Sequence, residues 1–541
     1  MLTSLPATLG IWRAGTEALP ALMRAVALGR HLDEESPTRQ DGPNGRDMVE
    51  WVRRWQSATS RLIVWNHRFA SADKGLVRQQ EVDAAVRLAV RWLALEGALE
   101  GVARGDWEFT SDGFDIRLRL RRDWSIEALD LYLESVTSPS GPPPPAPRHA
   151  FEWFIEQSRM RSASNPPDWV LQALVRYARR TAEQYPGRLP VDFDLGSGLR
   201  LGDARTCYIG LLGLCALADC YVQYLGVSEA TLLGIPRPAL LQRLVKVTDG
   251  QVDKASVEAF VDLMTFRPGR HADAAHAPLI PSGDRLLLPP ALLSPRGIER
   301  TLLRSAAADP SRFGPVGKAL GRQADAWADL LAGLPGVMAA RRLAVVRPDG
   351  SAAGDLDIVA LDPRARVGVV VEAKWPIDAL TVREGSKIED WVTHARTQVL
   401  RVRRGLEDGV LRARLPADWP AFSSVCWQWL VGTPQQLDRR LGQPGADIIP
   451  ATSLRLAEAL PSAHTLAEFL GRLLRPPLPQ RGEDYDVVQH EFRVGRYRVV
   501  ADALAPYRPD WLMELASRST DRVPPSVTEE ADVQDHPCSE L

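Results

Sequence analysis

Four charged residues stand inside the most strand-like part of this chain. The stretch GDLDIVALDPRARVGVVVEAKWP, Gly354–Pro376, contains two apolar runs that carry Asp355, Asp357, Glu372 and Lys374. Burying an ionised side chain costs on the order of several kcal/mol unless it is paired or bound to a metal. Side chains alternate across a strand, so Asp355 and Asp357 are expected to share a face with Val359 and Leu361, and Glu372 and Lys374 a face with Val370. The turn DPRAR joins the two strands, and the charges then gather at one end of a sheet. Two carboxylates and an ammonium at one place suit phosphodiester hydrolysis. Carboxylate oxygens are hard ligands for Mg²⁺ or Mn²⁺, which lower the pKa of a bound water and screen the phosphate. A lysine two residues after the glutamate reaches the same place, where it orients water or stabilises charge at phosphorus.

The lysine is itself informative. Lys and Arg together number 66, but lysine stands only at positions 74, 246, 254, 318, 374 and 387. Where arginine serves as the generic cation, a retained lysine marks a place that favours a compact ammonium over a guanidinium. Around the charged strands the pattern reads α-β-β-β-α-β. GPVGKALGRQADAWADLLAGL (314–334) has helical spacing; RRLAVVRP, DLDIVAL and RVGVVVEAKW read as strands; SKIEDWVTHARTQVLRVRRGL (386–406) reads as a helix and SSVCWQWLVGT as a further strand. This order predicts an α/β domain with a mixed sheet flanked by helices. On the second helix His394, Gln398 and Arg401 share a face, and Arg401, Arg403 and Arg404 form a basic run suited to backbone phosphates. GPVGKAL around Lys318 lacks the first glycine and the Ser/Thr of a P-loop, which excludes nucleotide binding of that kind.

These residues resemble the PD-(D/E)XK nuclease superfamily, in particular its Mrr-like and Holliday-resolvase-like restriction endonuclease branches. Gly354-Asp355-Leu356-Asp357 is similar to the family's G-(E/D)-x-D strand, and Glu372-Ala373-Lys374 to its E-x-K. The resemblance implies a restriction-endonuclease-like fold, with Asp357 and Glu372 as metal ligands, Lys374 as the catalytic lysine and Gln398 as the accessory glutamine. It also places Asp325 as a further ligand, one methylene shorter than the glutamate usual on the first helix. It implies a Mg²⁺- or Mn²⁺-dependent DNA endonuclease, with a role in restriction or anti-phage defence. The alternative is a catalytically inactive nuclease-like protein that binds DNA or scaffolds a defence complex. The likeness spans roughly 312–475 and leaves the first 300 residues unexplained.

Composition bounds the remainder. With 541 residues, 45% hydrophobic and 25% charged, the chain reads as a soluble protein of several units. A net charge of −2 gives no global sign of nucleic-acid binding and leaves room for a local basic groove. No basic, then apolar, leader is evident in MLTSLPATLGIWRAG, so the expected location is the cytoplasm, without a membrane partner. The five cysteines show no CxxC spacing, which argues against zinc and disulfide frameworks. CYIGLLGLCALADC (207–220) is interrupted by Asp219 and predicts a buried core helix.

Domains are expected at 1–136 (mixed and helix-rich, with a hairpin around Asp112-Gly113), 150–305 (helical) and 306–475 (nuclease-like). A proline-rich linker at 137–149 separates the first two. A hairpin-bearing extension at 476–515 and a disordered tail at 516–541 follow. The N-terminal and central regions are the expected sites of target recognition or protein partners.

Overall fold

Amphipathic spacing accounts for the helices that make up much of the first 310 residues. Asp168–Glu183, for example, buries Val170, Leu174, Val175, Ala178 and Ala182 on one stripe. The computed structural model describes residues 2–32, 45–121, 144–160, 166–225, 234–433, 449–452 and 459–506, apart from a few positions within these ranges. Most of the expected proline-rich linker and the whole of the expected tail lie outside them.

The chain divides into two compact units. The first comprises Met1–Arg119, Ser138–Val316 and Glu491–Ala501; the second comprises Leu120–Thr137, Gly317–His490 and Asp502–Leu541. In the first unit, strands β1 (Trp107–Asp112) and β2 (Asp115–Leu120) form a hairpin that turns through Gly113 at φ +59. The helix Leu201–Leu225 is packed by Arg148–Arg159, Asp168–Glu183, Lys254–Leu263 and Ile298–Ala307. By length and composition it could cross a membrane, yet 67% of its apolar window is buried, with Cys207, Cys215 and Cys220 as buried free thiols. It serves as the core helix the sequence predicts. The central region also holds a small antiparallel sheet of β3 (Gly234–Pro236), β4 (Ile280–Ser282) and β5 (Arg285–Leu287) in the order β3-β5-β4.

The second unit is built on a six-stranded mixed sheet. Its strands are β6 (Met338–Val346), β7 (Ala352–Asp362), β8 (Val367–Ala373), β9 (Arg412–Ala413), β10 (Cys426–Thr433) and β11 (Ile449–Thr452), in the order β11-β10-β8-β7-β6-β9. β6, β7 and β8 form an antiparallel meander; after the long helix Val382–Glu407 the chain returns as β10, parallel to β8. Both sheet faces are covered. Val369 and Val371 pack with Trp327, Leu331, Phe469 and Leu470 from the helices Asp325–Ala332 and Leu466–Leu474. Val370 packs on the other side with Val392, Ala395 and Val399 from the long helix. A strand buried on both faces reads as an unbroken apolar run, and that is the pattern of VGVVV. Beyond this unit's sheet, β12 (Tyr485–Val494) and β13 (Tyr497–Pro506) form a hairpin, and Arg498–Ala501 run parallel to Asp115–Leu118 of β2.

Two local departures shape the sheet near its charges. The single helix expected over 314–334 is instead Pro310–Gly321, a 3₁₀ turn at Arg322–Ala324, and Asp325–Ala332. In the β6–β7 ribbon, strict alternation of faces fails. Ala339 and Ile358 belong to the core under Asp325–Ala332, whereas Val345 and Leu356 belong to the core under the long helix. Residues of equal parity thus change sides between Arg341/Ile358 and Leu343/Leu356. The cause lies at Arg342, whose φ of +52 is left-handed. The expectation that Asp355, Asp357, Val359 and Leu361 share one face is therefore corrected at this kink.

A bulge follows. Val345 pairs with Gly354 but Val346 with Ala352, which leaves one extra residue on β7, and Gly354 takes φ +147 there. Only glycine adopts such a conformation without strain, so Gly354→Ala is expected to destabilise by about 1–3 kcal/mol. Gly471, inside the helix Leu466–Leu474 with open space at its Cβ, supplies the control. Thermal unfolding should show a lower midpoint for Gly354→Ala and an equal or higher one for Gly471→Ala.

Candidate active site

The site begins where two strands part. β7 and β8 remain paired only as far as Ile358 with Val371, whereas β8 stays paired with β10 through Ala373 and Gly432. The Lys374 N–H donates to the Gly432 carbonyl at 2.8 Å and extends the second pairing one residue further. Along the parted edge the Ala373 N–H donates to Asp357 Oδ2 at 2.8 Å. A side-chain carboxylate thus takes the place of a missing ladder bond.

Glu372 lies opposite, 8% exposed, and receives a 2.6 Å hydrogen bond on Oε1 from Lys374 Nζ. The next residue, Trp375, packs edge-on against Trp327 at 5.7 Å between ring centroids and anchors the end of the strand. Burial pushes the Asp357 carboxyl above its ordinary pKa, opposed by the Ala373 N–H and the Lys374 charge. Burial also pushes Glu372 up, Asp357 pushes it further, and Lys374 pulls it back. Two buried carboxylates beside one ammonium form a place that gains from a further cation.

Asp357, Glu372 and Lys374 open into a cleft of about 380 Å³ that Asp325, Asp355 and Gln398 also line. Gln398 is held at this height by Ala395 and Val399, both buried in the core beneath the long helix. Of the stripe His394, Gln398 and Arg401, Gln398 alone lines the cleft. Arg401 and Arg404 are exposed elsewhere on that helix, and Arg403 Nε donates to Glu407 at 2.7 Å. The basic run and the cleft are thus not brought together.

Asp325 reaches the cleft already engaged, since Arg342 Nη2 donates to its two oxygens at 3.0 and 3.2 Å. Arg341 pairs with Asp329, one turn further along the same helix. Consecutive strand residues normally point to opposite faces, and the left-handed backbone at Arg342 is what lets both arginines meet one helix. That conformation costs a non-glycine about 1–2 kcal/mol. A partly exposed ion pair returns about 0–1 kcal/mol, so the pair alone does not offset it.

Lys318, Arg322 and Arg342 complete the cleft, and none was singled out from the sequence as a site residue. Lys318 carried one signal, its place among the rare lysines. Arg322 and Arg342 carried none.

The chain matches no family model, no curated protein and no solved structure. The site therefore stands on its own geometry. Among the described residues no group of three or more His, Cys, Asp or Glu side chains is arranged around a common metal position. Asp357 and Glu372 nevertheless fit Mg²⁺ or Mn²⁺, because Mg²⁺ retains several waters and is commonly held by one or two carboxylates together with substrate phosphate.

The raised carboxylates give a test that does not require activity. A folded pKa above the unfolded one means that the native state holds more protons, so stability falls as pH rises through the window just above the ordinary carboxylate range. In chelator-treated protein, Glu372→Gln should therefore gain stability relative to wild type as pH rises through that window. Mg²⁺ or Mn²⁺ should raise the thermal midpoint of wild type by several degrees and that of Glu372→Gln by much less.

Proposed function

We propose that the unit Gly317–His490 carries a metal-dependent deoxyribonuclease site of the PD-(D/E)XK kind, set on a restriction-endonuclease-like sheet. The observation that carries this reading is the convergence, at the parting of β7 and β8, of Asp357, Glu372 and Lys374 in one cleft with Gln398. Carboxylates on two adjacent strands and a lysine one alternation beyond the glutamate suit metal-assisted hydrolysis of a phosphodiester.

Asp357 and Glu372 would hold the metal through their carboxylates, and Asp357 is kept in place by the Ala373 N–H. When bound, the metal supplies an acidified water and screens the charge on phosphate. Lys374, oriented by Glu372 and by the anchored Trp375, presents the ammonium that positions the attacking water or stabilises charge developing on the phosphate oxygens. Gln398 offers an amide that can donate to substrate and accept from water. Burial on both faces of the sheet holds the strand-borne groups rigidly, which is the preorganisation such chemistry needs. The unit built mainly from Met1–Val316 then supplies recognition or a protein partner. Restriction or defence against phage DNA is the setting that the family resemblance adds.

Supercoiled plasmid is the direct test, with the full chain in Mg²⁺, Mn²⁺ or EDTA. Nicking or linearisation is expected with metal and not with EDTA. Asp357→Ala, Glu372→Ala and Lys374→Ala should each lower the rate by about 10²–10³-fold or more while the circular dichroism spectrum is retained. Intact plasmid under every metal condition, or undiminished cutting by Lys374→Ala, would sink the reading.

A further inference from the structure

We infer that Arg342 grips a backbone phosphate of the nucleic acid at this cleft, and that Asp325 is its positioning residue and not a metal ligand. The inference rests on the nuclease reading for the identity of the ligand and on separate observations for the residue.

The first observation is the backbone. Arg342 interrupts β6 in a left-handed conformation, between the pairs Arg341–Ile358 and Leu343–Leu356, and so stands beside Asp357 in the ribbon. Its cost is not offset by the Asp325 pair, and uncompensated strain in a strand next to a cleft points to a use. The second is orientation. The kink brings Arg342 to the side occupied by Asp325, and both residues line the cleft together with Asp357 and Glu372. Only Nη2 takes part in the pair, so the Nε and Nη1 donors lie outside it, and the side chain is 52% exposed. A guanidinium fixed by a carboxylate at one corner is a preformed fork for a phosphate at the others.

The third observation is charge. Lys318 and Arg322 line the same cleft four positions apart, so three cations come from the segment and strand that flank Asp325. Carboxylates alone would repel a polyanion. This cationic wall supplies a counter-charge for a phosphate adjacent to the one at Asp357 and Glu372, with Arg342 on the strand paired with the one that carries Asp357. Asp325, with both oxygens receiving hydrogen bonds from Arg342, is placed to aim that arginine.

The test measures binding of the full chain to a fluorescein-labelled DNA duplex by anisotropy in EDTA across a salt series, so that no cleavage is needed. Arg342→Gly relieves the backbone and is expected to keep or raise the thermal midpoint. It should nevertheless weaken binding about 5–20-fold and reduce the salt slope by about one. Arg342→Lys should recover part of the affinity, since it restores the charge and not the fork. Asp325→Asn should change affinity in the wild-type background and leave Arg342→Gly unchanged, the signature of a residue acting through its partner.

Wild-type affinity and salt slope in Arg342→Gly would overturn the phosphate grip. An equal effect of Asp325→Asn in both backgrounds would overturn the positioning role, as would a Mn²⁺ thermal-shift midpoint displaced by Asp325→Asn and not by Arg342→Gly. If wild type binds through Arg342 but leaves plasmid intact with every metal, the nuclease reading falls and the grip stands. If plasmid is cut through Asp357, Glu372 and Lys374 while Arg342→Gly binds normally, the outcome is reversed.

Discussion

The constraint on which the second unit turns is that β8 cannot keep both of its neighbours to the end. It follows β10 through Ala373 and Lys374 and parts from β7 after Val371. An inward N–H left without an acceptor would cost about 1–3 kcal/mol, and Asp357 removes that cost by accepting from Ala373. The same bond draws a carboxylate into a place of low polarity, where its charge is disfavoured. Glu372 is brought in beside it, and Lys374 answers both. One carboxylate thus serves the sheet's hydrogen bonding and the cleft's electrostatics together.

The supports around this point differ in kind. Val369, Val370 and Val371 lock β8 between two cores, so Glu372 leaves a strand that has little freedom to shift. Gln398 depends instead on the seating of one long helix through Ala395 and Val399. Asp325 and Arg342 depend on each other and on a kinked backbone. The precision of the groups therefore falls from the strand centre toward the first helix, as expected when sites are carried by regular elements of unequal burial.

Much of this was legible in the sequence because it follows from periodicity and from charge in the wrong company. Unbroken VGVVV announces a strand covered on both faces, and Glu372 and Lys374 after it announce where the covering stops. The long helix, the hairpin at Asp112-Gly113 and the strand Cys426–Thr433 follow from apolar spacing and turn residues. The left-handed arginine was not legible, since nothing in the type of Arg342 favours that conformation, and the reversal of faces in β6 and β7 goes with it. The basic run Arg401–Arg404 looked suited to phosphates because one-dimensional spacing cannot say which side of a helix meets a cleft. Nor can it show that Arg498–Ala501 pair with Asp115–Leu118, because strand partners distant in sequence leave no local trace.

The parallel union of β8 with β10 also sets an order of events during synthesis. The meander β6–β7–β8 closes through short turns, but β10 is translated only after the whole helix Val382–Glu407. Pairings of that separation form slowly, because a long loop must close before any bond compensates for it. Until Gly432 arrives, the Lys374 N–H lacks the carbonyl that fixes the end of β8. The ribosome therefore releases Asp357 and Glu372 well before the chain can seat them, and the growing polypeptide passes through a long interval in which the acidic residues exist without the cleft.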